Sequence, residues 1–183
     1  MKAFFASIVF AASLNCCAQD LLSTQAAQQA CGPEKQQLPK PTLDPKRSVV
    51  TVPQPGKALV YLFQLYAPHA EPCIGTCGAL VRFGIDGRWQ GATLGNSYIV
   101  AAVDAGDHHL CANWQGRSKR LREIVALKAL HLEAGKSYYF GVRVLEAVST
   151  SSGTYGFDLV ALDEDEAKMI RESYPQETSS VSP

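Results

Sequence analysis

The sequence predicts an all-β domain, an antiparallel β-sandwich of about eight strands with a short helix before it and another after it. Three observations lead there. Residues 79–114 break into short runs rich in valine, isoleucine, tyrosine and tryptophan, separated by Asp86-Gly87, Gly95-Asn96 and Asp104-Ala105-Gly106-Asp107. Asp-Gly is the pair that best tolerates the positive φ of a two-residue hairpin turn, so this stretch reads as an antiparallel meander. Residues 58–66, ALVYLFQLY, are apolar on both faces, as suits a strand covered on both sides. Short strands then recur at regular spacing, the pattern of two layered sheets.

The chain opens with Lys2 and the apolar run Ala3–Leu14, too short to anchor stably across a bilayer. Small residues follow at positions 16–18, so residues 1–18 are expected to be a signal peptide cleaved after Ala18. The alternative is a lipoprotein anchored at Cys17, for which Asn15 and Cys16 are poor neighbours. Either way the mature chain is expected in the periplasm or secreted, with no transmembrane span. A net charge of zero gives no footprint for nucleic acid.

Export changes how the cysteines are read. Four remain after residue 18, and an oxidising compartment pairs them. Of the three connectivities that four cysteines permit, the expected one joins Cys73 to Cys77 and Cys31 to Cys111.

Residues 19–55 are expected to form a helix ended by Gly32-Pro33, then a linker. Five prolines between Glu34 and Pro55 make that segment read as extended. The sandwich spans residues 56–162. Alternation places Val81, Phe83 and Ile85 on one face and Leu80, Arg82 and Gly84 on the other. Residues 97–103 and 107–114 are expected to pair with each other. In residues 123–133, Lys128 should face water, which sends Val125, Leu127 and Ala129 inward and requires a bulge. Residues 137–147 put Tyr138, Phe140, Val142 and Val144 inward. Residues 163–174 form a helix whose acidic start and basic end suit the helix dipole. Residues 175–183 are expected to be a disordered tail.

Several motifs in order resemble a known family. They are Pro55-Gly56-Lys57-Ala58-Leu59-Val60-Tyr61, Asp86-Gly87 with Gly91, Gly95-Asn96-Ser97-Tyr98, Ala105-Gly106-Asp107-His108-His109-Leu110 and Ala134-Gly135-Lys136-Ser137-Tyr138-Tyr139-Phe140. Together they are similar to the bacterial envelope domain called domain of unknown function 2846. Ala105 stands where that family's second turn often has proline. The resemblance covers residues 55–165 and implies an all-β, exported protein; it carries no catalytic residue over.

The chemistry is sparse. His69, Cys73 and Cys77 form the sharpest metal candidate, but oxidation would consume both thiols. Ser97, Asp104 and His108 make a triad only on paper. Trp89, Tyr98 and Trp114 lie near turns or strand ends, where exposed rings stack on glycans or hold a partner. The expected function is therefore a non-enzymatic binding or structural module of the cell envelope, with no cofactor. It would act on an envelope protein or glycan through its loops and those three aromatics. The alternative is a metal-binding or redox role at Cys73 and Cys77, and a hydrolase comes third.

Overall fold

The computed structural model describes residues 29–43, 52–65, 80–116, 123–147 and 154–178. The expected signal segment, most of the first helix and the Cys73–Cys77 pair lie outside these residues. So does the basic stretch 117–122. Residues 29–30 are helical.

The strands are β1 (Thr42–Leu43), β2 (Lys57–Leu65), β3 (Leu80–Ile85), β4 (Arg88–Leu94), β5 (Ser97–Asp104), β6 (Gly106–Gln115), β7 (Val125–Leu132), β8 (Ser137–Ala147), β9 (Thr154–Ala161) and β10 (Glu177–Thr178), with helix α1 (Glu164–Ser173) before β10. Two four-stranded sheets result, in the orders β5-β2-β8-β9 and β4-β3-β6-β7, and β1 pairs with β10. The sheets are mostly antiparallel, but β2 and β8 run parallel. Residues 79–114 are not one meander. β3 pairs with β4 and β6, whereas β5 pairs with β2 in the other sheet. The turns at Gly95-Asn96 and Ala105-Gly106 are corners between sheets, so the expected pairing of 97–103 with 107–114 does not occur.

Alternation explains the core. Val60 and Leu62 of β2, Val81, Phe83 and Ile85 of β3, Ile99 of β5, Leu110 and Trp114 of β6 and Phe140 and Val142 of β8 meet in one buried cluster fed by both sheets. The Asp86-Gly87 turn has φ of 48° and 77°, the two positive values that the Asp-Gly pair was chosen for. On β7 the expectation fails. Ala126, Leu130 and Leu132 enter the core while Leu127 is exposed, and the β6–β7 register runs unbroken. Lys128 shares the inward face by alternation and is only half-buried. β7 is an edge strand, where an inward lysine reaches water past the rim and discourages edge-to-edge pairing. The bulge lies instead between β3 and β4, at Phe83/Gly84.

Each sheet also has an outer face, and both are covered. Over the first sheet, Leu162 and α1 residues Ala167 and Ile170 pack on Leu59, Tyr61, Phe63 and Tyr98. Asp163 caps α1 by accepting from Glu166 N at 2.7 Å. The guanidinium of Arg171 lies 4.8 Å from the centre of the Tyr61 ring. Over the second sheet lies the segment 29–38, the end of the expected helix and the start of the linker expected from residue 34. Ala30 and Leu38 are buried there with Leu80, Trp89, Ala92 and Cys111. The Cys31–Cys111 disulfide forms as expected, across 80 residues.

The expected tail is also partly built in. Gln176 bridges to Tyr98, β10 pairs with β1, and Glu177 is 2% exposed. Only residues 179–183 of that expectation fall outside the described chain.

Two glycines allow the N-terminal strap its close approach. A Cβ on Gly84 would lie 2.9 Å from Ala30 O and 3.1 Å from Cys31 Cα, both backbone. A Cβ on Gly32 would fall 2.4 Å from the Trp89 ring. We expect Gly84→Ala to lift the strap and lower stability by about 1–3 kcal/mol, the usual cost of overpacking. Urea titration checks this; a midpoint equal to that of the unaltered chain would show that the strap is not pressed on β3.

Candidate functional site

The three aromatics expected to form a contact surface do not form one. Trp89, Tyr98 and Trp114 are 4%, 2% and 1% exposed. Each is buried for a different reason. Trp114 falls on the core face of β6. Tyr98 lies beneath α1, its ring 5.2 Å from Phe63. Trp89 lies beneath the strap, where its indole N–H donates to Pro33 O at 3.0 Å.

Beside Trp89 sits Arg82, 1% exposed. Its guanidinium donates to Glu34 O at 3.2 Å, to Gln36 O at 2.7 Å and to the Asn113 side-chain oxygen, and stacks 4.2 Å from the Trp89 ring centre. Gln115 completes the row. Its amide accepts from Leu38 N at 2.8 Å and donates to Leu38 O at 2.7 Å. Sequence alternation put Arg82 on this face, but nothing local signalled that carbonyls from residues 34 and 36 would meet it.

The triad on paper is not assembled. Ser97 begins β5 and Asp104 ends it, so the two lie at opposite ends of one strand. Ser97 is fully buried, its hydroxyl directed to Glu177 and to Leu94 O. His108 instead ties two turns together. Its Nδ1 lies 2.6 Å from Asp86 Oδ2 and its Nε2 2.8 Å from Asp104 O. Carboxylate and carbonyl both accept only, so both contacts are hydrogen bonds when the ring carries a proton on each nitrogen. Burial pushes the Asp86 carboxyl up. The hydrogen bond from His108, the backbone N–H of His109 and the charges of both rings outweigh it and hold the carboxyl below its ordinary range. A part-buried Lys57 bonds the exposed Asp104 at 2.8 Å, and His131 pairs with Asp107 at 2.7 Å, both exposed.

At the other end a polar group is buried between the sheets. Thr93 donates to Gln64 Oε1 at 2.8 Å, and Glu177 accepts from Leu94 N at 3.1 and 3.3 Å and from Ser97. Burial raises the Glu177 carboxyl from 4.5 to about 7, against the pull of those two donors.

Among the described residues, no group of three or more histidines, cysteines, aspartates or glutamates is placed to hold a metal ion. His69, Cys73 and Cys77 lie outside them. No helix among these residues is long and apolar enough to cross a membrane. No family model, curated protein or solved structure matches the chain.

Glu177 gives a pH dependence with a definite sign. Its folded value lies above its unfolded one, so between pH 4.5 and about 7 the folded chain holds the extra proton. Its stabilising effect is complete below pH 4.5 and is lost as pH rises through about 7. We expect stability to fall by up to about 3 kcal/mol over that window, and Glu177→Gln to remove the fall. Urea titrations at pH 5 and pH 8 on both proteins check this.

Proposed function

We propose that the chain is an exported, non-enzymatic β-sandwich of the bacterial cell envelope, a binding or structural module related to domain of unknown function 2846. The observation that carries this reading is the Cys31–Cys111 bond, which staples the strap to the centre of a sheet across 80 residues. A bond of that span suits an oxidising compartment, and in the chain-entropy model it stabilises by about 4 kcal/mol. The motif series of the family supports the reading as well, since Asp86-Gly87 is a tight positive-φ turn and Gly106 turns a corner at φ 138°.

Two covered sheets leave contact to the ends of the sandwich and to the strap. An envelope protein or a glycan is the partner class. The site chemistry agrees with contact: His108 serves as a clasp between turns, and Ser97 is held by Glu177.

Intact mass and a thiol count on protein purified from the cell envelope test this. The expected result is a chain beginning at Gln19 with no free thiol, Cys73 and Cys77 being joined. A chain beginning at a lipid-modified Cys17 would keep the envelope and replace the soluble form with an anchored one. A chain retaining residues 1–18 with free thiols would overturn export.

A further inference from the structure

Past the disulfide, residues 33–38 of the strap are bound to the sheet in an unusual way: the sheet holds their main chain and, of their side chains, buries only Leu38. Pro33 O, Glu34 O, Gln36 O and both main-chain groups of Leu38 are taken by Trp89, Arg82 and Gln115. Glu34, Lys35, Gln36 and Gln37 all point to solvent. The one side chain buried between residues 33 and 38 is Leu38, 6% exposed. A short turn shapes the segment, with Gln36 N donating to Pro33 O at 3.1 Å.

That arrangement is the chemistry of a peptide site. Arginine and tryptophan are the residues that dominate binding hot spots, and here they form one stacked unit. The groups beneath the strap also demand an occupant. Lifting the strap takes two carbonyl acceptors from the Arg82 guanidinium and one from the Trp89 indole N–H, each a hydrogen bond to be remade. Water or another polypeptide must therefore replace the strap whenever it lifts. The strap is fixed at both ends, by Cys31–Cys111 before it and by the β1–β10 pair after it, so residues 33–41 are a loop whose displacement does not require the disulfide to open.

We infer that the outer face of the second sheet, at Arg82, Trp89, Asn113 and Gln115, is a peptide-binding site that the chain occupies with its own residues 33–38. A partner's segment displaces them. The partner segment is a turn beginning at proline, with main-chain carbonyls toward Arg82 and an apolar residue five positions after the proline. Its charged side chains are not read. This rests on the reading of the chain as a contact module, and names the partner's chemistry. Its test does not depend on export, because it is done on purified, disulfide-intact protein.

The test uses a fluorescein-labelled peptide of residues 33–40, Pro-Glu-Lys-Gln-Gln-Leu-Pro-Lys, and the full chain with Leu38→Asp, which weakens the strap's own anchor. In the unaltered chain the strap competes at the high effective concentration of a tethered ligand. The Leu38→Asp chain is therefore expected to bind the peptide saturably and at least ten-fold more tightly than the unaltered chain. Adding Arg82→Met to that chain should abolish binding, as should Asp in place of Leu in the peptide. Absence of saturable binding to a Leu38→Asp chain that keeps a native circular dichroism spectrum overturns the inference. So does binding that survives both changes. Should Leu38→Asp not fold, hydrogen exchange on the unaltered protein decides. The Leu38 amide is expected to exchange through a local opening, well before the Leu110 amide of β6. Exchange of both only on global unfolding would make the strap a fixed layer and overturn the proposal.

Discussion

The burial of Arg82 constrains the rest of this structure. Arg82 faces outward from β3, yet is 1% exposed. A charge removed from water must be met by good hydrogen bonds, or its burial is strongly unfavourable. Peptide carbonyls of residues 34 and 36, the Asn113 amide and the Trp89 ring meet it. Those carbonyls are in place only because the strap lies flat. Flatness in turn requires Gly84 and Gly32 under and over it, Cys31 joined to Cys111, and Leu38 seated at the far end.

The consequence is a layered molecule: strap, sheet, core, sheet and helix. The helix side follows the same logic with different groups, since Arg171 stacks on Tyr61 as Arg82 stacks on Trp89. Burial pushes the Tyr61 phenol up, and the nearby Arg171 charge only partly offsets this. The segments that follow the strap and α1 then meet as β1 and β10, so the two coverings are joined to each other. Among the described residues, one end of the sandwich is rich in histidine and aspartate.

Much of this was legible locally. The Asp86-Gly87 hairpin, the doubly apolar β2, the faces of β3 and the capped α1 each depend on neighbours in sequence. The Cys31–Cys111 bond is one of the three pairings open to the four cysteines after residue 18. What failed depended on distant chain. Trp89 and Tyr98 sit at positions that look open, and only the strap and α1 bury them. The prolines before residue 55 read as extended chain, but they give no sign of the β1 strand or of which groups the strap meets. Lys128 misled because an edge strand tolerates a charge on its inner face. Glu177 gave no signal at all: a lone glutamate in a polar tail is read as solvated, and its burial depends on Leu94 and Ser97, which lie more than 75 residues earlier.

The most direct test of this account is the environment of Trp89, read with Trp114→Phe so that it is the sole indole. The strap over it predicts blue-shifted fluorescence that acrylamide quenches poorly in the disulfide-intact protein. Emission like that of free tryptophan, quenched as readily, would mean that nothing covers the second sheet and would contradict the account.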